Sequence, residues 1–249
     1  MPDRMYKSLP NILAEHVFPK LYFPYFGSLE TATSATLAIN CGPPEANFDS
    51  LGTLELDWDV TFNLNTTNEI VRDTLLVERP SYYFKHGQPL TPPGIGHPAP
   101  GGFWSFFNCA GPPEVNPIHR EHYFDGSSCH LDIVPWATQS AWSHVPVPVR
   151  GELIQNSTGV LPEALIKGKG ITTIFVRGRT AADTLIELAL HGEQLSWEPN
   201  LDWHERIEAP RYRFLKGTLR FGDKRKIKLK AINHFQNITH EAARALVNL

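Results

Sequence analysis

The sequence predicts an α/β fold built on a mainly parallel sheet. Two observations carry this. Short apolar runs, several of them β-branched, end abruptly at polar residues or Gly, as buried strands do. One of them, Ile171–Val176, passes through Arg177 and Gly178 into Thr180–Leu190, whose apolar spacing is helical. Strand, glycine turn and helix make the βα unit of a parallel sheet.

Residues 8–26 mix aliphatics and aromatics with Pro19 and Pro24, and read as an arm packed over the core. A short helix is expected within Leu9–Val17, with Pro10 in its first turn. Ala35–Asn40 is the first strand, stopping at Cys41-Gly42-Pro43-Pro44. Gly42 permits close backbone approach, and the two prolines forbid a helix from starting at once. Residues 54–64 are expected to form an extended segment or an excursion from the core.

Residues 79–126 form a Pro/Gly-rich insertion around Phe103-Trp104-Ser105-Phe106-Phe107, long enough to suggest a lid or binding loop. Ser128–Trp136 is the next strand-like run and contains Asp132. A carboxylate there either lies at a surface end or is poised in a site, because burial without a partner is costly. A short helix is expected from Val149 to Ile154. Residues 211–230 are a basic tract, and the alternation of basic and apolar side chains in 211–215 and 226–230 predicts strands with one charged face. Such a face is either a solvated edge or a phosphate-facing surface. Ala231–Thr239 then delivers His234 near a strand end, and Thr239 can cap the closing helix over Glu241–Val247.

At 249 residues, with 41% hydrophobic and 20% charged side chains, the chain can bury one sizeable core. It is expected to be a single domain over 1–249 and a monomer. A net charge of −3 gives no global sign of nucleic-acid binding, although a local basic stripe suffices for it. Three scattered cysteines, Cys41, Cys109 and Cys129, make neither a disulfide framework nor a metal site, and are too few for an iron–sulfur cluster. With no long apolar run, the expectation is a cytoplasmic protein without membrane spans, metal or cofactor.

The ordered motifs carry a resemblance. Ala38-Ile39-Asn40-Cys41-Gly42-Pro43 is similar to the G-[IM]-N-P-G motif of the uracil-DNA glycosylase superfamily, in its mismatch-specific and single-strand-selective branches. Leu131–Trp136 looks like that family's middle strand, Phe175–Ala181 like its hydrophobic strand with Gly and Ala, and Asn233–Gln236 like its His-Pro-Ser segment. Cys41 stands where the family has Pro, Asp132 where it has a base-reading Asn, and Phe235 where it has Pro.

The resemblance implies a three-layer sandwich around a central four-stranded, mainly parallel sheet flanked by helices. It implies a monofunctional DNA glycosylase that flips out a base and hydrolyses its N-glycosidic bond, leaving an abasic site. Asn40 would orient the attacking water. His234 would stabilise negative charge on the departing base, helped by backbone N–H groups near Cys41 and Gly42. Phe48 would stack on the base or belong to the core, and Phe235 and Gln236 would enter the duplex or pack under the last helix. Lys224, Arg225 and Lys226 would grip phosphates of double- or single-stranded DNA. Asp132 points to a cytosine-type base, because a carboxylate accepts from the N4 amino group and repels uracil O4. A hydroxymethylcytosine derivative in phage DNA is the expected substrate, in antiviral defence. The competing readings are a uracil glycosylase of DNA repair, a non-catalytic DNA-binding relative, and an unrelated hydrolase pairing Asp132 with His130 or His234.

Overall fold

The computed structural model describes residues 11–22, 24–26, 28–40, 111–119, 122, 125–191, 195–197, 203–222, 225–233 and 238–249. These form a mixed α/β fold. Cys41, Gly42, Phe48, Lys224, His234, Phe235 and Gln236 lie outside the described residues, as do residues 54–64 and the insertion up to residue 110.

Among the described residues, the elements begin with α1 (Asn11–Ala14), β1 (Val17–Tyr22), β2 (Tyr25–Phe26) and β3 (Ser34–Asn40). Next come β4 (Ser128–Val134), β5 (Trp136–Thr138), α2 (Val147–Asn156) and α3 (Val160–Lys167). They are followed by β6 (Thr173–Arg177), α4 (Arg179–His191), β7 (Leu195–Trp197) and β8 (His204–Glu205). The hairpin β9 (Arg213–Phe221) and β10 (Lys226–Ile232) leads to α5 (His240–Val247).

Among the described residues, eight strands join in one sheet in the order β2-β4-β3-β6-β10-β9-β7, with β8 on β9. The four central strands, β4, β3, β6 and β10, are parallel to one another. Edge strands β2, β9 and β7 pair antiparallel. The first parallel strand in sequence, β3, therefore lies between the second and the third. Strand order reverses beside it, and sheets of this kind bind ligands outside the carboxyl ends at such a reversal.

Strands β3, β4 and β6 are largely buried on both faces, whereas β10 exposes Lys226 and Lys228. All seven residues of β4 are buried. Leu37 pairs with Leu131 on one side and Val176 on the other, and Val176 pairs with Ala231. Helix α4 packs on β3, β6 and β10 through a face that includes Ala181, Ala182 and Leu185. Helix α3 packs on β4, and α5 on β10.

Three local expectations meet their outcome here. Gly178 adopts φ 88° between β6 and α4 and donates its N–H to Ile232 O at 2.9 Å, a backbone that a side chain would strain. The Thr239 hydroxyl accepts from Ala242 N at 3.2 Å and caps α5. The arm is real but mostly extended. Helix α1 spans only Asn11–Ala14, and Val17 belongs to β1, which pairs with β5. β-Branched and aromatic residues with Pro19 favour a strand at that point, so the helix expected as far as Val17 stops early. Helix α3 had no sequence expectation. Its Val160, Leu161, Ala164 and Leu165 are buried, but Pro162 and the glycines at either end mask the pattern.

Candidate functional site

The carboxyl ends of β3, β4 and β10 lie at one edge of the sheet, as the parallel pairing requires. Alternation along each strand then assigns side chains to faces. One face is apolar: Ala35, Leu37 and Ile39 on β3, Cys129, Leu131 and Ile133 on β4, Ile174 and Val176 on β6, and Ile227, Leu229 and Ala231 on β10. The opposite face is the more polar one, although Ala38, Val134, Phe175 and Ile232 also lie on it. It carries Ser34, Thr36 and Asn40 on β3, Ser128, His130 and Asp132 on β4, and Lys226, Lys228 and Lys230 on β10.

On β3 and β4 the polar residues climb toward the carboxyl edge in matched pairs. The Ser34 and Ser128 hydroxyls meet at 2.6 Å, and both reach Pro117 O. Thr36 Oγ1 lies 2.7 Å from His130 Nδ1. His130 Nε2 lies 3.5 Å from Asp132 Oδ1. Opposite Asp132 the β3 partner is Ala38, whose methyl leaves the carboxyl group room.

Asp132 is the anomaly. It is 0% exposed, and neither of its oxygens has a hydrogen-bond partner. At 3.5 Å the His130 contact is too long for a well-made bond. A buried polar atom left this way costs about 1–3 kcal/mol, more when charged. The surface alternative for Asp132 is therefore excluded.

Asn40 stands two residues nearer the edge, level with Val134. Its amide nitrogen donates to Val134 O at 3.1 Å and Trp136 O at 2.5 Å, and its oxygen accepts from Thr138 Oγ1 at 3.0 Å. These bonds hold the chain where Pro135, lacking an N–H, lets β4 give way to β5. The amide plane is thereby fixed at the sheet edge.

Arg177 is a site candidate that the sequence reading passed over. It ends β6 one residue past the Leu37–Val176 pair, which puts it level with Ala38 and Asp132 and on their polar face. Its only sequence signal was a charged residue closing an apolar strand just before Gly178.

The basic tract forms the β9–β10 hairpin. Lys226 faces Arg220 and Lys230 faces Lys216 directly across it, with Lys228 opposite Thr218. Lys216, Arg220, Lys226 and Lys228 are exposed. Like charges directly opposite each other destabilise a sheet. The consequence shows at Lys230, whose ammonium is held below the usual lysine range by burial first, then by Lys228 and Lys216. Its head group donates to Val247 O at the carboxyl end of α5. Arg225, expected to grip phosphate, makes contacts within the fold. It donates to Leu165 O at 2.6 Å and Gly168 O at 2.8 Å at the end of α3, and stacks over Phe221. Adjacent lysines made its role illegible, because only tertiary packing brings the α3 carbonyls beside it.

Among the described residues, no cluster of three His, Cys, Asp or Glu side chains could hold a metal ion, and no helix is long and apolar enough to cross a membrane. Comparison with known proteins gave no match: no family model, no curated protein and no solved structure aligns with this chain.

Proposed function

We propose that this chain is a DNA glycosylase of the uracil-DNA glycosylase kind, with the three-layer architecture that this implies. It excises a cytosine-type, modified base by hydrolysis and leaves an abasic site. The reading rests chiefly on Asp132, a buried carboxyl group without hydrogen bonds on the polar face of a parallel sheet. Such a group calls for a ligand that brings a donor, and the exocyclic amino group of cytosine is one. Asn40 supports it from the edge above, as a rigidly held amide that directs water to the anomeric carbon. His234, following β10, would stabilise the charge growing on the departing base. The cations of the β9–β10 face serve the phosphate backbone.

The test is base release. Duplexes carrying 5-hydroxymethylcytosine, cytosine or uracil are incubated with the protein, and the free bases are measured by mass spectrometry. Release of the modified cytosine, lost in Asn40→Ala, supports the reading. Release of uracil alone would replace it with a repair enzyme. A second reading is a DNA-binding relative without catalysis, favoured by the three structural bonds of the Asn40 amide. It predicts DNA retention with no alkali-sensitive sites in any substrate.

A further inference from the structure

We infer that the exposed cations of the β9–β10 face form a phosphate track for duplex DNA that is separate from the base site and lies toward the amino ends of the parallel strands. Its distance from the target base rests on the glycosylase reading, whereas the contact with DNA rests on the hairpin alone.

The register gives the place. Lys228 pairs with Thr173, Thr173 with Ser34 and Ser34 with Ser128, so Lys228 is level with the first residues of β3 and β4. Lys226 lies two residues farther down, opposite Arg220. Asp132 is level with Ile232, at the other end of β10. At about 3.3 Å per residue and about 4.8 Å per strand, Lys226 stands roughly 24 Å from Asp132 in the plane of the sheet.

Lysines often guard the open edge of a sheet. That explanation fails for β10, which pairs with β6 on one side and β9 on the other. Lys226 and Lys228 therefore project from an interior strand, and Lys216 and Arg220 join them on the same face from β9. All four are exposed. Among the described residues, no carboxylate forms an ion pair with Lys216 or Lys228. Lys230 is left out of the track, because its head group donates to Val247 O.

Like charges facing each other across a hairpin cost stability, and a polyanion offsets that cost. The polyanion is a duplex rather than a single strand, because Phe175 and Phe214 on this face are buried and offer unpaired bases no ring to stack on. A duplex advances about 3.4 Å per base pair, so roughly seven base pairs separate a nucleotide at Asp132 from the Lys226–Arg220 pair.

Salt titrations of DNA affinity, read by fluorescence anisotropy on the full chain, test this. Unmodified duplexes of about twenty base pairs address the contact: Lys216→Gln with Lys228→Gln should lower the slope of log affinity against log salt by about two units. A slope that the double variant leaves unchanged overturns the inference, as does capture by poly-glutamate or phosphatidylserine vesicles in preference to DNA. Duplexes with one 5-hydroxymethylcytosine address the placement, with an arm of about five or about fifteen base pairs on either side. The longer arm should steepen the slope on one side of the base only, and the double variant should return it to the short-arm value. Base release with the same slope for every arm overturns the separate placement. If no duplex releases a base while the double variant still lowers the slope, the glycosylase reading fails and the phosphate track stands.

Discussion

His130 Nε2 approaches Asp132 Oδ1 to 3.5 Å, and both side chains are buried. The two residues are separated by one position on β4, so alternation sends both side chains to the same side. A fold under pressure for stability alone has little reason to keep a carboxyl group there, since a buried polar atom without a hydrogen-bond partner costs about 1–3 kcal/mol.

That argument gives the first prediction. Asp132→Asn should change stability by no more than about 1 kcal/mol, because the amide matches the carboxyl group in shape and neither group finds a hydrogen-bond partner there. The same change should move base release toward uracil, which one amide satisfies with its oxygen and its NH2. Urea unfolding and the base-release assay read the two halves. A loss of several kcal/mol would mean that Asp132 is a structural anchor.

Asn40 should behave in the opposite way. Asn40→Ala strands the Val134 and Trp136 carbonyls, and is expected to cost about 1–3 kcal/mol in urea unfolding. Thr138→Val removes one hydroxyl and should cost less. Base release should fall further in Asn40→Ala than the folded fraction accounts for. Activity tracking the folded fraction would reduce Asn40 to a clamp.

The hairpin cations separate from Arg225. Removing Lys216 or Lys228 should lower the slope of DNA affinity against salt by about one unit each. Both changes also relieve like-charge repulsion at Lys230, so thermal stability should hold or rise. Arg225→Gln should lower stability instead, by freeing the end of α3, and leave the salt slope alone. A slope unaltered by the lysine changes would remove this face from the DNA footprint.

Cys129 sits on the apolar face of β4 at 0% exposure, and burial pushes its thiol far up from the ordinary range. The reactive species is the thiolate. Iodoacetamide should therefore leave the Cys129 peptide unmodified in the folded chain at pH 8 and label it in urea. Peptide mass spectrometry reads the outcome, and rapid labelling of the folded chain would contradict this burial.

Much of the frame was legible in the sequence. The strands ending at Asn40 and at Arg177, the Gly178 turn, the helix after it and the Thr239 cap are each written in neighbouring residues. Apolar runs, a left-handed glycine and a capping hydroxyl act over a few positions, so spacing betrays them. The alternation of residues 211–215 and 226–230 likewise announced strands with one charged face.

What the tertiary structure decided is pairing between distant segments. Nothing local says that Thr36 meets His130, since 94 positions of chain separate them. Their contact follows from the register of β3 on β4, which one residue of slip would reverse. The same register buries Asp132 rather than leaving it at a surface end, and sets Arg177 level with it. Arg225 and Lys226 are neighbours of one chemical type, yet one closes α3 and the other stays exposed. A side chain's reach is a local property, but what lies within that reach is settled only when the sheet and its helices have packed.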